Sequence, residues 1–69
     1  MKLSYYPDTD SLYIDFSAKP SAESREVSEG VTPDYDKEGN LIGIDIDNAS
    51  WKLDLSQVVA SHIPVHAGA

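Results

Sequence analysis

The stretch that decides the fold reads DYDKEGNLIGIDI and spans residues 34–46. Its second half alternates with a period of two, because Ile42, Ile44 and Ile46 are separated by a glycine and an aspartate. Such alternation is typical of a strand with one face in a core and the other in water. Gly39 supplies the positive φ that a bulged hairpin turn needs. The stretch therefore predicts a β-hairpin whose isoleucines point inward and whose aspartates point outward.

A second alternating segment lies nearer the N-terminus. Leu12, Ile14 and Phe16 are predicted to share one strand face, with Tyr13 and Asp15 on the other. The Pro-Asp-Thr-Asp sequence just before them favours a tight reversal, so we expect an antiparallel hairpin with the first few residues of the chain. With the central hairpin, this predicts an antiparallel meander of four to five strands.

The period changes in the C-terminal third. One helical stripe, at positions i, i+3, i+4, i+7 and i+8, is formed by Leu55, Val58, Val59, His62 and Ile63. Asp54 is placed to cap this helix and Pro64 to end it. We expect an α+β fold in which this one C-terminal helix packs on one face of the sheet. Trp51, just before the helix, is expected to lie beneath the sheet. Residues 1–64 then form a single small domain, and residues 65–69 a frayed tail.

Composition limits the functions that are open to the chain. It has 69 residues, twelve acidic against five basic, and a net charge of −7. That charge argues against nucleic acid or an anionic membrane as partner, since both reward Lys and Arg. We find no cysteine, no targeting segment and no apolar run of the roughly 18 residues that span a bilayer, so we expect a cytoplasmic protein. A core this thin also favours oligomerisation, and a homodimer is one expectation.

Two blocks of sequence resemble a known family. The first reads YPDTDSLYI over residues 6–14, and the second is residues 34–46, followed by Asn-Ala-Ser at 48–50. Together they resemble the small bacterial family catalogued as domain of unknown function 2283, over about residues 2–50. The resemblance implies the fold and a bacterial cytoplasmic setting, and it supplies no activity, cofactor or catalytic residue. Members are described beside small toxin-like genes, so the resemblance also raises an antitoxin-like role.

The acidic turn resembles a calcium-binding loop in its spacing. Asp34, Asp36, Glu38, Gly39 and Asp45 stand where an EF-hand loop has four ligands and its glycine. Glu38 is long for its position, and Asp45 is one methylene short for a bidentate ligand. A true EF-hand loop joins two helices, whereas this segment alternates as a strand, so the sequence favours an acidic hairpin turn. Weak calcium binding by Asp34, Asp36, Glu38 and Asp45 is the alternative function.

The outward side chains of the predicted sheet form a candidate binding face. We expect it to contain Tyr13, Asp15, Asp34, Asp36, Asp45 and Asp47. Clustered carboxylates attract a basic protein, and Tyr13 is the best single contact residue among them. The competing interpretation is a solvated strand face that keeps a small domain soluble.

Nothing in the sequence indicates an enzyme. The chain has no Gly-x-Ser-x-Gly elbow and no glycine loop followed by lysine, and a domain of this size offers little concavity. The two histidines lie on either side of Pro64, which should keep them off a common helix face. We therefore predict a non-enzymatic protein–protein interaction module that uses no cofactor.

Overall fold

The computed structural model describes residues 1–64, and the tail predicted at 65–69 lies outside the described residues. Those 64 residues form a five-stranded sheet followed by one short helix. The elements are β1 (Lys2–Tyr6), β2 (Ser11–Asp15), β3 (Glu23–Ser24), β4 (Val31–Tyr35), β5 (Leu41–Ile46) and α1 (Ala49–Lys52).

Every pairing in the sheet is antiparallel, which confirms the predicted strand direction and number. The order differs from a simple meander, because it runs β1-β2-β5-β4-β3. The connection after β2 leads to the far edge, and β3, β4 and β5 then return hairpin by hairpin. This order sets Leu12 opposite Ile46 and Ile14 opposite Ile44. The two strands richest in aliphatic side chains thus lie side by side in the centre, where cross-strand contacts stabilise the sheet most.

The pairing register divides the side chains of the sheet into two groups, because directly opposed residues share a face. The apolar face carries Leu3, Tyr5, Leu12, Ile14, Val31, Pro33, Ile44 and Ile46. The acidic face carries Lys2, Ser4, Tyr13, Asp15, Thr32, Asp34, Gly43 and Asp45. The predicted alternation of isoleucines and aspartates is therefore confirmed.

The core lies on the apolar face and is thin. Leu12 and Ile46 are buried there with Ala49 of α1, and Leu53 packs against them. No large side chain of the described residues is completely buried. α1 is thus the element that covers the centre of this face.

The helix predicted over residues 55–63 is wrong, because that stretch contains no helix. Asp54 turns its carboxylate to the amide of Ser56 at 2.9 Å, which makes a local turn instead of a helix cap. His62 has a φ of 58°, which a right-handed helix does not allow. Val58 and Val59 remain 75% and 71% exposed, so little burial of the apolar stripe is available to stabilise a segment too short to be helical alone.

Two further expectations change with this helix. The only helix among the described residues is α1, four residues long, so the fold is mostly β with a small helical part. Trp51 lies on α1 with 89% of its surface exposed, rather than beneath the sheet. Within residues 1–64, no helix has the length and apolarity to cross a membrane.

Candidate binding face

Tyr13 lies flat across the acidic face rather than projecting from it. Its ring passes over Gly43 on the neighbouring strand, where a Cβ would lie only 2.7 Å from the ring carbon Cζ. Only glycine leaves room for this packing. Tyr13 is therefore part of the surface that its neighbours build, and it offers less area to a partner than its outward position predicts.

The Tyr13 hydroxyl reaches across β5 to β4 and donates to Asp34 Oδ2 at 2.7 Å. The Ser24 hydroxyl of β3 donates to the other oxygen of the same carboxylate. The bond to Asp34 is the main reason that the pKa of Tyr13 rises to about 12, and burial and the nearby carboxylates add to it. The phenol therefore keeps its proton at neutral pH. Asp34 has both oxygens engaged and joins β2, β3 and β4.

Asp45 is a carboxylate of this face whose charged form is disfavoured by its surroundings. Burial raises its pKa, and the negative charges of Asp47 and Asp34 raise it further. The two ion pairs found within residues 1–64 are Lys19–Asp36 and Arg25–Glu23, so neither offsets this repulsion. Lys2 stands opposite Asp15, and the Lys52 ammonium donates to the Asp47 backbone carbonyl at 2.7 Å, but no cation of the described residues forms an ion pair with Asp45.

Asp36 is placed differently from the prediction, which put it on the outer face. Its side chain is only 4% exposed, and it closes the turn between β4 and β5. The backbone amides of Asn40 and Glu38 each donate to Oδ1 at 2.9 Å, and the Asn40 side chain donates to Oδ2 at 3.1 Å. These bonds, those from Asn40 first, lower the pKa of Asp36. Asp36 is thus a turn-forming residue with no free oxygen facing a partner.

The predicted calcium ligands are not brought together. The oxygens of Asp36 are held by the turn, and those of Asp34 by Tyr13 and Ser24. In the part of the chain that the structure describes, no three acidic or histidine side chains form a group that could hold a metal ion. The spacing therefore reflects a hairpin turn followed by a strand, as the alternation at Ile42–Ile46 already favours.

Sequence reasoning missed a second carboxylate with a central structural role. Asp10 ends the turn between β1 and β2 with a φ of 53°. Its side chain accepts bonds from the Tyr5 hydroxyl at 2.7 Å and from the Ser50 hydroxyl at 2.7 Å and amide at 3.1 Å. Its backbone carbonyl accepts from the Ala49 amide at 2.8 Å. The sequence places Asp10 in the predicted turn before β2, but nothing in the sequence indicates that its side chain reaches Ser50.

Comparison with known families gives one result that covers most of the chain. Residues 2–50 match the model of the family DUF2283, described as a protein of unknown function. The chain therefore belongs to the DUF2283 family, and its strands and the start of α1 lie in the matched region. Comparison with curated proteins and with solved structures gives no match.

Proposed function

We propose that this DUF2283 chain is a non-enzymatic interaction module of the bacterial cytoplasm that binds a basic protein through its acidic face. The observation that carries the proposal is the grouping of Asp15, Asp34 and Asp45 on one face of the sheet, where no ion pair of the described residues includes Asp45. Asp15 has Gly43 of β5 opposite it on one side and Lys2 of β1 on the other.

The electrostatics favour a cationic partner in two ways. A face with one sign of charge accelerates encounter with the opposite charge, and the effect falls with ionic strength. An arginine or lysine that approaches Asp45 also relieves the repulsion among the carboxylates. The binding free energy is therefore more favourable than that of an ion pair with an isolated carboxylate. An antitoxin-like role, in which the partner is a small basic toxin, is one form of this function.

The geometry adds rigidity to the charge. Tyr13, Asp34 and Ser24 tie three strands together on the acidic face, so the strands that carry its other carboxylates are held in place before binding. A preorganised face loses little side-chain entropy on association. We therefore assign Asp15, Asp45 and Asp47 to direct contact, and Asp34 and Tyr13 to the support of that surface.

The test compares two double variants with equal net charge. Asp15→Asn with Asp45→Asn removes two charges from the acidic face, and Glu29→Gln with Glu38→Gln removes two exposed charges elsewhere. Binding of a lysine- and arginine-rich peptide is measured by calorimetry, and its site by amide shifts of the labelled protein.

We expect the first variant to weaken binding about tenfold, equivalent to about 1.4 kcal/mol, and the second much less. In the wild type, amide shifts should concentrate in β2, β4 and β5. Equal weakening by the two variants would mean that the peptide responds to net charge alone, and the proposal would then be wrong.

A further inference from the structure

The apolar face is covered at its centre and open at one end. At the β1 edge, Leu3 and Tyr5 are each 45% exposed. The segment after α1 stands opposite them and borders an open cleft of about 700 Å³. The apolar side chains that line it are Leu3, Tyr5, Leu12, Leu53, Leu55 and Val58. Large exposed apolar surfaces of this kind mark interaction sites in small soluble domains.

The chain exposes more surface than a compact monomer of its mass. A compact monomer of 7.5 kDa exposes about 4,200 Å², whereas this chain exposes 5502 Å². Subtracting about 600 Å², the most that the five residues beyond 64 can contribute, leaves an excess of about 700 Å². That is about the share that each partner contributes to a standard interface.

Charge limits how a second copy can approach. Asp54 is the one charged residue that lines the cleft, and its carboxylate accepts from the amide and the hydroxyl of Ser56. The strand residues of the apolar face are all uncharged, while the aspartates of the sheet point to the other side. Two copies of a chain with net charge −7 can approach only where their acidic faces stay apart, and contact between apolar faces satisfies this condition. Such an arrangement is self-complementary, because Val58, 75% exposed beside the cleft of one copy, is free to enter the cleft of the other.

We propose that this cleft is the self-association surface of the protein, where a second copy packs to form a homodimer with both acidic faces outward. The proposal goes beyond the proposed function and does not depend on it, since it uses the opposite side of the sheet. It also assigns a role to the apolar stripe of residues 55–63, whose apolar side chains stay 39–75% exposed in the single chain.

The test is the mass in solution, measured by sedimentation equilibrium from micromolar to millimolar concentration. We expect the wild type to approach twice 7.5 kDa. Leu3→Glu should remain a monomer, because it places a charge on the cleft. Leu41→Glu is the matched control, since Leu41 is 48% exposed against 45% for Leu3 but is not among the residues that line the cleft.

Val58→Glu provides a second cleft variant that does not threaten the fold, because Val58 is already largely exposed. It should also be monomeric, with an unchanged circular dichroism spectrum. A wild type that stays monomeric at millimolar concentration would overturn the proposal, and so would a dimer that Leu3→Glu and Val58→Glu leave intact. Neither result would affect peptide binding at the acidic face, so the two proposals fail separately.

Discussion

At Gly43 the lack of a side chain determines where Tyr13 can lie and, through it, how Asp34 is held. We expect Gly43→Ala to lower the free energy of unfolding by about 1–3 kcal/mol, because the added methyl group must displace the ring or the strand beneath it. Besides Tyr13, the new Cβ would meet the Ile14 carbonyl at 3.2 Å, so relaxation is limited on both sides. Urea denaturation measures the change.

A double-mutant cycle separates the ring from the backbone in this effect. In a Tyr13→Leu background the aromatic ring and its hydroxyl are gone, so Gly43→Ala should destabilise the protein by at least about 0.5 kcal/mol less than in the wild type. Simple additivity would show that strand geometry, and not the ring of Tyr13, requires the glycine.

Asp45 should destabilise the fold at neutral pH. The pKa of Asp45 is raised in the folded state, so the folded protein binds a proton at this carboxylate more readily than the unfolded chain does. Above the ordinary pKa, ionisation of Asp45 therefore costs the folded state free energy. We therefore expect Asp45→Asn to stabilise the protein at pH 7 by a few tenths to about 1 kcal/mol. The gain should vanish as the pH falls below the ordinary value of 3.8, where the wild-type carboxyl is itself neutral.

The measurement is urea denaturation of both proteins across that range of pH. A loss of stability in Asp45→Asn at pH 7 would show that the carboxylate makes a favourable contact that outweighs its repulsion by Asp34 and Asp47. The same variant should weaken the binding of the basic peptide. Stability and binding therefore respond in opposite directions at one residue, as expected where charge is kept for recognition.

At the scale of elements, the β1–β2 hairpin is joined to α1 by Asp10. Bonds from the Ser50 hydroxyl first, then from Tyr5, lower the pKa of Asp10. The unfolded chain thus takes up this proton at higher pH than the folded protein does. The stabilisation is complete above the ordinary value of 3.8 and is lost as the pH falls through the lowered pKa.

Asp10→Asn is the variant that tests this link, because asparagine also tolerates the positive φ of the position. We expect its melting temperature to lie several degrees below that of the wild type at pH 7, with the difference shrinking steadily as the solution is acidified below pH 4. Asp8→Asn, an exposed position in the same turn, is the control for the loss of one charge. A constant difference at all pH values would mean that ionisation of Asp10 does not contribute.

The strands could be predicted from the sequence because a period of two is imposed locally. The spacing of Ile42, Ile44 and Ile46 alone assigns them to one face of the strand, and the structure agrees with that assignment. The pairing of β2 with β5 could not be predicted in this way, since it depends on which strands gain most from contact and not on any turn.

The prediction of a helix over residues 55–63 was wrong because a helix depends on contacts outside its own sequence pattern. The spacing of Leu55, Val58 and Val59 gives a stripe, but a stripe becomes a stable helix only when a surface buries it. The prediction of the candidate site was wrong in part for a similar reason. An outward position in the strand does not reveal whether the carboxylate oxygens already accept hydrogen bonds within the protein. Asp36 and Asp34 are outward by count, yet one closes a turn and the other binds Tyr13 and Ser24.

At the scale of the whole molecule, the fold and the proposed dimer surface are built from different parts of the chain. The sheet and α1 are complete by Lys52, and Leu53 closes the core. The residues from Val58 to Ile63 remain mostly exposed and add little burial. We therefore expect a chain ending at Leu53 to unfold cooperatively, with a melting temperature no more than about 4–8 °C lower, the shift that 1 kcal/mol produces in a domain of this size.

The same truncation should abolish self-association, because it removes Leu55 and Val58 from the cleft, while peptide binding to the acidic face persists. Far-ultraviolet circular dichroism follows the melting, sedimentation equilibrium the mass, and calorimetry the peptide. If the shortened chain is unfolded, the segment after Leu53 supplies core contacts that its exposure in the single chain does not show. If it is folded and still dimeric, the contact lies at another surface, for which the unpaired edge of β1 is the first place to look, because an exposed edge strand offers free backbone groups to a second copy.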